Sequence, residues 1–143
     1  NIRMGDPECQ VILPRLKTDI LKIFNHSIEN KLNKIKIKWN KQKSMTIVLC
    51  AKGYPGTYKK NLKIKNMNKI KESKTNFIYH AGSKLFDKEL RSNGGRVLNI
   101  TSIGKNFLKI RNNIISNIKR LNWKDGFYRK DIGWRVINKN ENY

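Results

Sequence analysis

Apolar residues recur every three or four positions in two stretches of the chain and every second position in several others. Leu13, Leu16, Ile20, Ile23, Phe24, Ser27 and Ile28 fall near one helical face, which predicts an amphipathic helix from about Pro14 to Lys31 packing that stripe into a core. Pro14 suits its first turn, where the missing N–H costs nothing. His26 has no second candidate ligand at i+4 and reads as a surface or packing residue. Phe107, Ile110, Ile114, Ile118 and Leu121, widened by Leu108 and Ile115, predict a second helix from about Phe107 to Asn122, with Asn106 as N-cap and Gly126 as its stop. Between the helices, period two takes over. Met45 to Ala51 is a β-branched, apolar strand run, and Asn76 to His80 and Arg96 to Ile103 are further strands. Short strands are possible at 35–39, 62–64 and 127–129. Asn93-Gly94-Gly95 predicts a hairpin joining 85–90 to 96–103. The sum is an α+β fold, a mainly antiparallel sheet packed with helices. A polar connector divides it near residue 42, giving segments 1–42 and 43–143.

Composition changes this picture little. The 143 residues suffice for one modest core, and no apolar run approaches the ~20 residues of a membrane span. Cys9 and Cys50 fit neither a metal spacing nor a disulfide framework and read as free thiols in a reducing compartment. The net charge of +22 invites a nucleic-acid reading. However, 24 Lys, 19 Asn and 19 Ile stand against only 2 Ala. These are the residues of AT-rich codons, and the lysines are spread along the chain. Compositional drift accounts for the charge, which then holds polyanions only non-specifically.

Glycine, proline and arginine escape that bias and gather in a few segments. The opening run, Asn1-Ile2-Arg3-Met4-Gly5-Asp6-Pro7-Glu8, is the densest in chemically useful groups. An amide oxygen beside carboxylates is a hard-oxygen set suited to Mg²⁺, and Arg3 could offset charge on a phosphoryl group or clamp a carboxylate. The same residues could equally form a turn capping the next helix. The chain has no glycine-rich phosphate loop, nucleophile elbow or HExxH zinc motif.

Five segments, colinear over the chain, resemble the phosphoribosylamine–glycine ligase family. They are Asn1 to Gln10 with Leu13 to Asp19, Gly53-Tyr54-Pro55-Gly56-Thr57-Tyr58, His80-Ala81-Gly82-Ser83-Lys84, Asn93-Gly94-Gly95-Arg96-Val97-Leu98, and Tyr128 to Arg135. The resemblance implies the end of an ATP-grasp domain over residues 1–42 and the ligase's C-terminal α+β domain over 43–143. It implies an ATP-dependent carbon–nitrogen ligase that activates glycine as an acyl phosphate. 5-phosphoribosylamine then captures it, giving glycinamide ribonucleotide, ADP and phosphate. Asn1 matches the asparagine of a Glu-x-Asn motif that holds Mg²⁺ (or Mn²⁺). Arg3 matches an arginine near the phosphates or the glycine carboxylate, a catalytic and substrate-binding position. Gly5, Asp6 and Glu8 would line the substrate pocket. Met4, Cys9 and Ser83 stand where the family is expected to have Phe, Thr and Thr. The family's N-terminal domains, including the parts that hold ATP, have no counterpart here, so the resemblance implies a fragment inactive alone, placed in the cytoplasm or an organelle matrix. The alternatives are a small basic nucleic-acid- or ribosome-binding protein, which explains the charge but not the Gly/Pro/Arg segments, and a folded remnant without activity.

Overall fold

The computed structural model describes residues 2–138. Its centre is two long antiparallel strands, β1 (Lys43–Ala51) and β5 (Arg96–Gly104), in register from Lys43 opposite Gly104 to Leu49 opposite Leu98. β2 (Asn76–His80) adds to the far side of β5, and β6 (Gly126–Phe127) to the far side of β1, so the order is β2-β5-β1-β6. Every pairing is antiparallel. β3 (Ser83–Phe86) and β4 (Glu89–Ser92) form a separate two-stranded ribbon.

Alternation along β1 decides what each face does. Met45, Ile47, Leu49 and Ala51 are buried in one cluster with Leu98, Ile100, and Ile110, Ile114, Ile118 and Leu121 of α3 (Phe107–Leu121). A fully buried isoleucine or leucine such as Ile114 or Leu121 contributes about 1.5–3 kcal/mol by leaving water. Asn106 caps α3 as the sequence predicts: its side chain accepts from the Lys109 amide at 3.0 Å. Helix α3 ends at Asn122, which takes a left-handed conformation with φ 48°, and not at Gly126, which instead begins β6. After it comes a further short helix, α4 (Trp134–Asn138).

The second sheet face is also covered, which is why β5 is buried from Val97 to Ile103. α1 (Glu8–Ile12) lies across β1 and β5 there. Leu98 and Ile100 face the core with α3, while Asn99 and Thr101 stand on the face toward α1. The hydroxyl of Thr101 donates to that of Thr46 at 2.7 Å, and Asn99 is wholly buried.

Four expectations are corrected. The helix predicted from Pro14 to Lys31 is broken. A 3₁₀ turn at Leu13–Arg15 is followed by extended backbone at Leu16, and α2 (Ile20–Ile28) starts afresh, with the Asp19 carboxylate accepting from the Leu21 amide at 2.8 Å. The break has a cause: the amides of Lys17 and Thr18 donate to the Lys38 carbonyl, and the Lys38 amide donates to the Thr18 hydroxyl. The same pairing replaces the strand suggested at 35–39 with a single bridge between Leu16 and Trp39. No residue of α2 is buried, so its stripe is not part of this core. Finally, Asn93-Gly94-Gly95 makes no hairpin. The hairpin turn lies at Asp87 and Lys88, whose φ values of 45° and 62° supply the primed-turn geometry that Asn-Gly usually provides.

Candidate functional site

The glycine-bearing segments meet at one end of the sheet. The Ala51 amide donates to the Gly95 carbonyl at 2.8 Å, the Gly82 amide to the Arg96 carbonyl at 2.7 Å, and the Asn93 amide to the Gly82 carbonyl at 2.7 Å. Here the glycines serve close approach. A Cβ on Gly82 would lie 2.6 Å from the Gly94 Cα, and one on Gly95 would enter the ring of Tyr54.

The opening loop is fastened to this junction through Asp6. Arg96 donates from Nη1 to the Asp6 carbonyl at 3.0 Å and places its Nε 3.3 Å from Oδ2. Asn99 Nδ2 and Gln10 Nε2 both donate to Oδ1, at 2.9 and 3.1 Å. The Cys9 amide closes the turn on the Gly5 carbonyl at 2.9 Å. A carboxylate accepting these bonds in a half-buried site is a positional anchor, since charge-assisted hydrogen bonds are the stronger class.

Beside the loop a cleft of about 350 Å³ opens over Thr46, Val48 and Cys50, walled by Pro7, Tyr54 and Pro55 and closed by Phe127, Arg129 and Ile132. Both Asp6–Pro7 and Tyr54–Pro55 are cis peptides. Burial pushes the Cys50 thiol up, with the Asp6 carboxylate adding to the rise and the Arg96 guanidinium opposing it. Arg129 grips Asp131 with Nε at 3.1 Å and Nη2 at 2.6 Å, which holds the Asp131 carboxyl below its usual range. Arg111 of α3 donates to the carbonyls of Lys130 and Ile132 and so fixes that wall to the core helix.

The residues singled out from the sequence are distributed as follows. Asn1 lies outside the described residues. Arg3 is exposed, with Nη1 donating to the Met4 carbonyl at 2.9 Å. Gly5 is half-buried, and a Cβ there would collide with the Glu8 carboxyl. Glu8 is exposed at the start of α1. Asp6 is the one bound inward. The loop therefore shows solvent an arginine and a glutamate on a pinned backbone. Sequence reasoning missed Gln10 and Asn99 as anchors. A signal existed for Asn99, an amide in the middle of a strand flanked by apolar residues.

Among the described residues no group of three or more His, Cys, Asp or Glu could hold a metal ion. With Asp6 taken by Arg96, Gln10 and Asn99, Glu8 is the exposed carboxylate of the described loop. No described helix is long and apolar enough to cross a membrane.

Residues 44–135 match the family model "Phosphoribosylglycinamide synthetase, C domain". The chain is 40% identical over 137 residues to the phosphoribosylamine–glycine ligase of Agrobacterium fabrum, covering 96% of this chain and 32% of that protein. It is 38% identical to the chloroplastic phosphoribosylamine–glycine ligase of Arabidopsis thaliana, covering 96% of this chain and 26% of that one. It is 41% identical to the trifunctional purine biosynthetic protein adenosine-3 of Gallus gallus, of which it covers 14%. Its fold matches the crystal structure of phosphoribosylamine–glycine ligase from Thermotoga maritima with a TM-score of 0.69 at 26% identity, over 92% of this chain and 32% of that one. The chain thus spans about a third of the length of the single-function bacterial ligases it matches.

Proposed function

The chain belongs to the phosphoribosylglycinamide synthetase C-domain family, and on that premise we propose that it is the C-terminal third of an ATP-dependent ligase joining glycine to 5-phosphoribosylamine. The products are glycinamide ribonucleotide, ADP and phosphate. The observation that carries this reading is the pinned opening loop. Asp6 binds three partners drawn from α1 and β5, and this fixes the backbone from which Arg3 and Glu8 reach outward. An anchored loop bearing exposed charged groups suits the edge of a site whose other wall lies elsewhere in a ligase.

Within that reading each residue has a task. Arg3 faces the phosphate or carboxylate charge that develops as glycine is activated, and preorganised cationic donors at such a position are worth several kcal/mol of barrier. Gly5 and Glu8 shape the substrate edge, with Asp6 as their anchor. Asn1 supplies one oxygen toward Mg²⁺ or Mn²⁺. Asn1 lies outside the described residues, and those described bring no group of His, Cys, Asp and Glu together that could hold the ion, so in this reading the remaining donors and the nucleotide pocket belong to the other two thirds of the ligase. The bound ion would neutralise charge on the transferring phosphoryl group. The compartment is the cytoplasm or an organelle matrix, and nucleic acid is held only through charge.

The test is a chimera in which this chain replaces the matching third of the Agrobacterium fabrum ligase. ADP release dependent on both glycine and 5-phosphoribosylamine is expected, within about tenfold of the parent enzyme. A folded, ATP-binding chimera with no such turnover contradicts the reading.

A further inference from the structure

Beyond the C-terminal end of α3 the chain turns at Asn122, and a polar cleft of about 340 Å³ opens beside that turn. Lys63, Lys65 and Asn66 line it from one segment, and Asn122 to Asp125 from the other. Asn66 ties the two together, its Nδ2 donating to the Leu121 carbonyl at 3.2 Å. The cleft shares no residue with the opening loop or with the cleft over Thr46, Val48 and Cys50.

Its lining is rich in groups that donate and accept nothing, three ammonium groups and an indole N–H. Lys63 is paired with Glu89. Lys65 and Lys124 are exposed and, among the described residues, in no ion pair. Trp123 is only 8% exposed, yet its Nε1 is buried with no hydrogen-bond partner among the described residues. Buried donors are as a rule matched, so an unmatched one marks a place where an acceptor is wanting. A Cβ on Gly126 would fall 2.3 Å from Cε3 and 2.8 Å from Cζ3 of that indole. Nε1 is therefore on the side turned away from Gly126, which lines a different cleft.

We propose that this cleft is a binding site for a small hydroxylated phosphate monoester. A phosphoryl group brings a charge of about −1.5 to −2 and three strong acceptor oxygens, which match the two unpaired ammonium groups and the indole N–H. The Asp125 carboxylate opposes a bare anion but accepts from a hydroxyl, and the amides of Asn66 and Asn122 serve either kind of partner. The volume lies at the lower end of small-molecule sites and leaves room for a short polyol beside the phosphoryl group.

Titrating glycerol 3-phosphate into the ¹⁵N-labelled chain tests this. The three tryptophans give three indole signals, assigned with Trp39→Phe and Trp134→Phe, both at exposed positions. The Trp123 signal is expected to move to saturation while the other two stay in place. Lys65→Gln with Lys124→Gln should weaken binding about tenfold or more. Lys34→Gln with Lys36→Gln, which removes the same charge from exposed positions elsewhere, should leave it within about twofold. Inorganic phosphate should bind about tenfold more weakly than the ester. A Trp123 signal that does not move overturns the proposal. So does an equal loss in both double variants, the mark of diffuse attraction by the net charge of +22. Equal affinity for inorganic phosphate overturns the assignment of an ester.

Discussion

Asp6 shows how much one side chain can settle. Its carboxylate joins a loop at the start of the chain to a strand some ninety residues later, through Arg96 and Asn99. Asn99 is wholly buried, and its side-chain amide donates to Asp6. Losing a buried hydrogen bond to a charged group costs about 1.5–3 kcal/mol. Asn99→Ala should therefore destabilise the chain by that amount in urea titration, and it should loosen residues 3–8 before the sheet unfolds. The importance of Asp6 was legible in the sequence as a charged residue in a Gly-Asp-Pro turn, but its inward orientation was not. Nothing local to residues 3–8 reveals that Arg96 and Asn99 will arrive from β5, because that meeting is made by the sheet.

Among the elements, those with a strong period and a local cap were readable. α3 follows its isoleucine stripe from the Asn106 cap, and β1 and β5 follow their apolar alternation. α2 failed in extent because backbone pairing with Lys38 overrode a helical pattern that was otherwise continuous. It failed in burial because the core closes between the sheet and α3 without taking in any residue of α2. The β3–β4 hairpin was missed because Asp87 and Lys88 adopt positive φ without glycine. That hairpin has its own electrostatic clasp: Lys63 and Arg91 both hydrogen-bond to Glu89 and hold its carboxyl below the usual range. A carboxyl with a depressed folded-state pKa stabilises the fold above its unfolded value, and that contribution fades as pH falls through the folded value. The amide chemical shifts of Leu85 and Leu90 should accordingly drift toward unpaired values as pH drops below the ordinary glutamate range. In Glu89→Gln they should be offset at neutral pH and insensitive to that drop.

For the whole molecule, the distribution of apolar surface is the main clue. One core sits between the sheet and α3, well sealed, while α2 and its return segment leave Leu21, Phe24, Ile28, Leu32 and Ile37 outside it. The glycine segments converge on the end of the sheet where the opening loop is pinned. That arrangement is in keeping with the proposed reading, in which the chain works as part of a longer ligase. The charge of +22 tells little about function, since it follows the Lys, Asn and Ile excess spread over the chain.

The claim at the centre is that the pinned loop presents Arg3 to the reacting groups. The most direct measurement is the turnover of the Agrobacterium chimera carrying Arg3→Ala. Arg3 is exposed and its guanidinium donates to its neighbour's carbonyl, so the melting temperature should not change. ADP release dependent on glycine and 5-phosphoribosylamine should fall about 100-fold, the scale on which loss of a preorganised donor slows a reaction. Unchanged turnover in a folded Arg3→Ala chimera would contradict the account.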